Sequence, residues 1–483
     1  VIAGAFGIGA AYDAYNYAYV IPGFFLILIG GINGPLHNAI VSVISKKDKK
    51  EGAYIISSII TLISLVFILF SLILFFGSDI IMNILAPGLN EEVHDIAVKQ
   101  MQIMSPITLI SGLLGISFGL LNANNEFFVP SISPIFSSFT LIIGIAAFWW
   151  LQASPNDSID VSLKGGVLLA QLTLIGAIIQ LIIQIPILIK KGLISIKIGW
   201  DFQYSGVKEV INILTPAIFA SGMLQVNVIT DLFFASGILG AAAGLGYANF
   251  LIQAPLGLFS SAILIPLLPK LSKIKINNEK QKLRDLITRG FMLCATSMIA
   301  LAALYISLGS SIVDLIYARG SFDSKAINLV GNLLIVYGFG MPAYLCRDYL
   351  VRVFYAIGDG KTPFKFSSAG IILNIILDWL FVGGPSPWGN QLTLNFGAQG
   401  LILATIGVNL FTCLGLLLSL QKRIGYFPFK EWSNNLLKVL ICGSVSGIFA
   451  WKLNSISLLN QEFLLKLLQV SYSGIFCITV FII

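Results

Sequence analysis

Apolar runs of around 20 residues, enough for a helix to cross a bilayer, recur from one end of this 483-residue chain to the other. They lie near 10–45, 52–77, 101–122, 127–151, 163–189, 206–236, 240–269, 285–309, 326–357, 364–384, 397–420, 433–452 and 463–483, and residues 1–9 read as the tail of one more. Lipid offers backbone groups no hydrogen bonds, so apolar spans of this length must be helices that satisfy their own. With 57% hydrophobic and 11% charged residues, the composition excludes a water-soluble globule. The expected fold class is an all-α polytopic membrane protein.

Charge distribution decides what the basic balance means. Of the 29 Lys and Arg, 21 fall at one set of alternate loops and helix ends: "KKDKK" at 46–50, 190–208, the segment from Lys270 to Arg289, "GKTPFK" and 422–438. That asymmetry is the positive-inside pattern. It places those loops in the cytoplasm and accounts for the net charge of +7 without a nucleic-acid partner. The five cysteines stand singly in apolar segments, which indicates neither a disulfide framework nor a zinc site. Two histidines and no nucleophile motif argue against a membrane enzyme.

The chain also repeats itself. A shift of 233 lays Gly4 on Gly237, Gly7 on Gly240, Asn16 on Asn249, Pro22 on Pro255, Ala123 on Ala356, Glu126 on Asp359 and Pro130 on Pro363, and a shift of 232 lays "IIMNILAPG" (80–88) on "IVDLIYARG" (312–320). Helix-breaking prolines and the same turn recurring at one offset indicate a duplication. Six helices separate equivalent points, so two six-helix lobes should be related by a pseudo-two-fold along the membrane normal, with a pathway between them. The boundaries expected are 1–200 for the N-terminal lobe, 201–425 for the C-terminal lobe and 426–483 for two added helices. By the same offset the first lobe should begin some residues before Val1, and "CITVFII" stops inside an apolar run, so the sequence reads as a fragment at both ends.

Charges at membrane depth cost about 2.5–3.5 kcal/mol each on insertion scales and therefore face protein or water. The candidates are Asp13, Asp231, Arg347, Asp348, Arg352 and Asp378, with Asn16, Asn33, His37, Asn249, Gln253 and Asn374 as neutral companions. In "YDAYNYAYVIPGFF", Asp13 and Asn16 stand three apart ahead of Pro22 and the pair Gly30-Gly31, which favours a cavity-facing position; the surrounding tyrosines read in part as an interfacial belt. Asp348 and Arg352 have the i,i+4 spacing of a self-neutralising pair, equally compatible with a structural ion pair and a pathway role. Arg347 has no obvious local partner, which makes it the better candidate for an anionic substrate. His37 fits an interhelical hydrogen bond. Asn374, Asp378, Asp231 and Thr405 would suit a hard cation, although Asp231 and Asp378 fit interfacial residues in water at least as well.

Three stretches carry a family resemblance: "FGIGAAYDAYNYAYVIPGFF", "LGYANFLIQAPLGLFSSAILIPLLPKLS", and "IYARGSFDSKAINLVGNLLIVYGFGMPAYLCRDYLVRVFYAIGDGKTP" followed by Asn374. Nearly the whole chain resembles the MurJ (MviN) family, the lipid II flippases of the multidrug/oligosaccharidyl-lipid/polysaccharide exporter superfamily. The resemblance implies fourteen helices, two six-helix lobes around a cationic cavity, and two further helices forming a groove for a lipid tail. It implies a bacterial cytoplasmic-membrane protein with both termini cytoplasmic, working as a monomer near cell-wall synthesis enzymes. The substrate it implies is undecaprenyl-pyrophosphate-linked muropeptide (lipid II), moved by alternating access and driven by the membrane potential or a sodium ion, with no other cofactor. The acid of "YDA" carries over to Asp13, as gate or counter-ion, and the sodium-site pattern to Asp231, Asn374, Asp378 and Thr405 with the carbonyl of Leu401. The chain departs from the family where arginines are common: "PGFFLILIGG" follows Pro22, and "ANF" holds Asn249 and Phe250, with Gln253 at a position that is often acidic. Another lipid-linked oligosaccharide, a drug, or a non-transporting scaffold role are the alternative readings.

Overall fold

A computed structural model describes residues 1–32, 34–151, 158–194, 199–264, 266–267, 271, 280–384, 394–455 and 463–482. All thirteen expected runs coincide with helix, and no strand occurs among the described residues. Nine of these helices are long and apolar enough to cross a membrane, and a pair bent by 40° makes a tenth. The helices fall into two compact units, Val1–Ala242 and Ala243–Ile483.

Unit 1 opens with α1 (Ile2–Phe6) and α2 (Ala10–Phe24), continues through α3 (Pro35–Ile44), α4 (Lys49–Phe76), α5 (Ser78–Leu85), α6 (Glu91–Met104), α7 (Ile107–Ala123), α8 (Phe128–Leu151), α9 (Ser158–Ile182) and α10 (Ile185–Lys190), and closes with α11 (Ser205–Ala235). The expected run at 10–45 is broken in two. Pro22 has no N–H to give, and α2 passes into a π-helical turn at Phe25–Ile29, where Gly30 N bonds Phe25 O at 3.0 Å. Gly34 and Pro35 then start α3 in the favoured way, with proline at the first helical position.

The π turn lies against α7 at backbone contact. A Cβ on Gly115 would stand 2.2 Å from Ile29 O, and one on Gly30 would stand 2.9 Å from Ser111 O. Between membrane helices there is little hydrophobic driving force, so close approach of this kind supplies the packing. Side chains fill the space on either side: Tyr17, Met101, Leu114 and Phe118 form one core, and Leu36, Ile40, Ile55 and Leu121 another. Gln100, fully buried, donates to Ala11 O and Gly166 O, both at 3.0 Å, and so ties α2, α6 and α9 together.

Unit 2 contains most of α12 (Ala241–Phe259), a π-helical turn at Ser260–Leu264, then α13 (Lys280–Tyr317), α14 (Ser324–Ala356), α15 (Lys361–Val382), α16 (Ala398–Ile424), α17 (Phe429–Ser455) and α18 (Phe463–Ile482). Tyr305 and Tyr317 of α13 donate to Leu251 O and Tyr247 O of α12 at 2.8 and 3.2 Å. At the start of α17, Trp432 stacks on Phe291 of α13 with ring centroids 5.0 Å apart. Lys466 of α18 pairs with Asp314 of α13 at 2.7 Å.

The internal geometry of the two units follows the offset of 233. Left-handed residues recur as Gly7 and Gly240, Asn125 and Gly358, Gly192 and Gly425. Helix caps recur: Asn90 accepts from Val93 N at 3.0 Å and Asp323 from Ala326 N at 2.9 Å. Ion pairs recur as well, Glu126 with Lys191 and Asp359 with Arg423, the acids 233 apart and the bases 232. Each of α2 and α12 carries one proline and runs into a π turn.

Candidate functional site

Asp13 is 2% exposed, and its Oδ2 accepts from Gly240 N at 3.1 Å. The carboxylate thus grips the tight segment after α11, where Gly240 has φ +72°. Asn16, one turn along α2, donates to Tyr12 O at 2.6 Å. Tyr12, Tyr15 and Tyr19 stack along one face with centroids 6.1 and 5.3 Å apart, Tyr15 bonds Thr173 at 3.0 Å, and Tyr17 is fully buried. Their spacing of three and four puts the rings one above another on α2.

His37 is 5% exposed and bridges two amides, Asn38 Oδ1 at 3.1 Å and Asn122 Nδ2 at 2.8 Å. A neutral ring protonated on Nδ1 satisfies both contacts, as expected of an interhelical hydrogen-bonder. Asn33 lies outside the described residues.

In unit 2, Asn249 and Gln253 lie on the exposed face of α12. The Asp348–Arg352 pair expected from the spacing is not formed. Asp348 instead meets its neighbour Arg347 at 3.5 Å, and Arg352 reaches across to donate to Ser260 Oγ in the π turn at 3.3 Å. Arg347, read from the sequence as the partnerless cation, is thus the one beside a carboxylate. The π turn supplies the reason, because it places a hydroxyl within reach of Arg352, on a helix that spacing rules for α14 alone do not consider.

Four of the residues in the cation pattern lie on α15 and α16, two on each. A Cβ on Gly370 would stand 3.1 Å from Val408 Cγ1, and one on Gly400 would stand 2.8 Å from Val382 Cγ2, so the two helices run antiparallel. That register sets Asn374 level with 404–408 and Asp378 level with 400–404. Asn374 Nδ2 donates to Asp378 Oδ2 at 2.6 Å, both residues being buried, and Thr405 Oγ1 donates to Leu401 O at 3.0 Å. Asn409 and Thr412, which the sequence reading passed over, continue the same polar seam and are buried too. Asp231 belongs to α11 of unit 1 and is half-buried. No cluster of three or more His, Cys, Asp or Glu suited to a metal occurs among the described residues.

The "GDGKTP" stretch proves to be a fastening. Asp359 Oδ1 accepts from Lys361 N and Thr362 N at 3.0 and 3.1 Å, while Oδ2 takes the Thr362 hydroxyl at 2.6 Å and Arg423 at 2.5 Å. The Thr362 hydroxyl first, then the Thr362 amide, the Arg423 guanidinium and the Lys361 amide, hold this carboxyl below its ordinary value against an opposing contribution from burial.

Comparison with known proteins fits this architecture. A profile of the family described as "Lipid II flippase MurJ" matches residues 2–469. A protein of Synechocystis sp. described as a probable lipid II flippase MurJ is 43% identical over 452 residues, covering 94% of this chain and 83% of its own length. The lipid II flippase MurJ of Thermosipho africanus is 29% identical over 473 residues, with 98% and 90% covered. A solved structure titled as lipid II flippase MurJ in an inward closed conformation superposes with a TM-score of 0.75 at 26% identity, over 99% of this chain and 93% of that one. A multidrug resistance MATE family transporter of the MOP superfamily, at 13% identity and a TM-score of 0.65 over 88% of this chain and 92% of its own, shares the fold. With a profile match along nearly its entire length, this all-helical chain belongs to the MurJ family.

Proposed function

We propose that this protein is a lipid II flippase of the bacterial cytoplasmic membrane, carrying the undecaprenyl-pyrophosphate-linked muropeptide from the cytoplasmic to the outer leaflet by alternating access. The observation that carries the reading is the family match over residues 2–469. Its lobes would be those expected at 1–200 and 201–425, with 426–483 added. A cavity of about 400 Å³ between α13, α14 and α17, lined by Ala302, Ala303, Gly338, Gly443 and Gly447 among others, suits the polyprenyl tail, since small side chains leave an apolar slot beside the helices. Asp13 would gate the pathway or balance its cations.

The donors on α15 and α16 fit a sodium ion: a buried carboxylate, an amide, a hydroxyl and a carbonyl are all hard oxygen ligands. Asn374, Asp378, Thr405 and Leu401 O would hold it; for Asp231 the family pattern alone speaks. Bound sodium would supply the energy for resetting, alongside a membrane potential worth about 2.3 kcal/mol per charge per 100 mV.

The test is conditional complementation. The native gene is expressed in cells depleted of their own lipid II flippase, and growth is followed with lipid II in the outer leaflet. Rescue of both is expected. Confirmed membrane expression without rescue would turn the assignment toward another lipid-linked oligosaccharide, a drug, or a scaffold role.

A further inference from the structure

α15 buries the opposite of what a helix in a soluble protein buries. Its side chains Phe364, Ile372, Ile375 and Ile376 are exposed, and its buried residues are Pro363, Gly370, Asn374 and Asp378. From 370 onward these stand four apart, so one stripe of the helix carries a glycine, an amide and an acid, and that stripe faces protein. α16 matches it with Thr405, Asn409 and Thr412, a polar stripe at spacings of four and three. Asn374, Asp378, Asn409 and Thr412 are each no more than 4% exposed. Polar groups at membrane depth are costly and mark ion and substrate pathways. Those of α16 are not spent on bridging helices: Thr405 donates back to Leu401 O and Asn409 Nδ2 back to Thr405 O, at 3.0 and 2.8 Å, both along their own helix.

The polar seam runs on past the residues proposed to hold sodium. Gly370 lies opposite Val408 and Thr412, one turn nearer the start of α15 than Asn374. Lys361 and Lys365 at that start, with Lys422 and Arg423 at the end of α16, put it on the side that the Lys and Arg asymmetry assigns to the cytoplasm. A Cβ on Gly370 would stand 3.7 Å from Thr412 Oγ1, so the absent side chain is what gives the hydroxyl room. One further turn down the seam is stopped. A Cβ on Gly415 would overlap the ring of Phe366, which fills the space there and lies edge-on to Phe411 with centroids 6.0 Å apart.

We infer that this seam is the route by which the sodium ion leaves for the cytoplasm: from Asn374 and Asp378 past the Asn409 amide oxygen to the Thr412 hydroxyl, with Phe366 as the plug at its lower end. Successive oxygens on α16 are three or four residues apart, about 4.5–6 Å along the axis. Amide and hydroxyl oxygens are hard ligands without charge, so they pass a sodium ion on where the carboxylate would hold it. The inference rests on the sodium reading above and adds to it the direction and the exit of the ion.

The experiment uses the full chain in inside-out and right-side-out membrane vesicles. Cys442 is the one exposed cysteine of the five, so Cys442→Ser is the background and the four buried thiols set the blank. Thr412→Cys in that background is expected to keep a rise in melting temperature with sodium that potassium does not match, which shows that it is folded with its ion site intact. Its thiol should react with a membrane-impermeant cationic thiosulfonate in inside-out vesicles and not in right-side-out ones. The cationic reagent should outpace an anionic one of similar size about tenfold, and sodium should narrow that gap, because an ion beside Asp378 cancels the charge that draws the reagent in. Phe366→Ala should speed the reaction several-fold and Gly370→Ala should slow it. Reaction from the outer face, no reaction even with Phe366→Ala, or equal rates for the two reagents overturns the route. Loss of the melting rise in Thr412→Cys makes Thr412 part of the site and overturns it too. A wild type that melts alike in sodium and potassium overturns the route together with the sodium reading.

Discussion

Two substitutions at Asp359 separate the two jobs of its carboxylate. Alanine removes the cap on the first turn of α15 and the contact with Arg423, whereas asparagine keeps an oxygen for the Lys361 and Thr362 amides but loses the charge. A cap is worth about 1 kcal/mol. Arg423 is 46% exposed, so screening by water limits the ion pair to about 0.2–1 kcal/mol. With the Thr362 hydroxyl included, Asp359→Ala should cost about 2–3 kcal/mol and Asp359→Asn about 0.5–1 kcal/mol. Unfolding by SDS in mixed micelles, followed by tryptophan fluorescence, measures both, and a double-mutant cycle with Arg423→Ala should return a coupling of about 0.5–1 kcal/mol. Acid adds a second readout. A carboxyl held below its ordinary value contributes fully above the unfolded pKa of about 4 and loses that contribution as pH falls through its lower folded value. The gap between wild type and Asp359→Asn should therefore narrow below about pH 4. Equal stabilities for Asp359→Ala and Asp359→Asn, or no coupling to Arg423, would refute the fastening.

Gly115→Ala should lower stability by about 1–3 kcal/mol, since its Cβ would meet Ile29 O at 2.2 Å and a backbone carbonyl cannot swing away; size-exclusion melting in detergent reports it. Asp13→Asn should preserve protein level while failing to complement flippase-depleted cells, because the amide still offers Gly240 an oxygen but carries no charge; normal growth would remove the gating role. Sodium should raise the melting temperature of wild type in a concentration-dependent way that potassium does not match, and Asp378→Ala should abolish the difference; identical melting in both salts would leave no basis for a coupled ion. Asn122→Ala should cost about 1–3 kcal/mol by leaving His37 Nε2 buried without its donor, as read by the same unfolding titration.

Much of this was legible in the sequence because it depends on periodicity and length. Apolar runs located the long helices but not α5 or most of α6, and the offset of 233 anticipated equivalences at Gly7 and Gly240 and at Glu126 and Asp359 that reappear in backbone conformation and in ion pairing. The Asn374–Asp378 contact was readable for a similar reason, since residues four apart share one helix face. What failed to show was anything set by a change in helix geometry. Spacing assigned Arg352 to Asp348, but a π turn on another helix offered it Ser260. The contact of Tyr15 with Thr173 gave no signal, because it depends on which helix packs against α2. Gln100 gave no signal either, because a lone amide reveals its carbonyl partners only once three helices are in place.

The recurrence of left-handed residues, caps and ion pairs at offsets of 233 and 232 has a consequence for what the molecule can recognise. Glu with Lys in the first half becomes Asp with Arg in the second, so a longer acid with a simpler base is exchanged for a shorter acid with a forked one, and the same fastening results. The charges at membrane depth are not copied in this way: Asp13 has Gly246 as its counterpart, and Arg352 has Gly119. A scaffold that kept its mirror-like joints while its inner residues diverged can carry a cargo with no symmetry of its own, and the direction in which such a cargo is turned is then written in those unmatched positions.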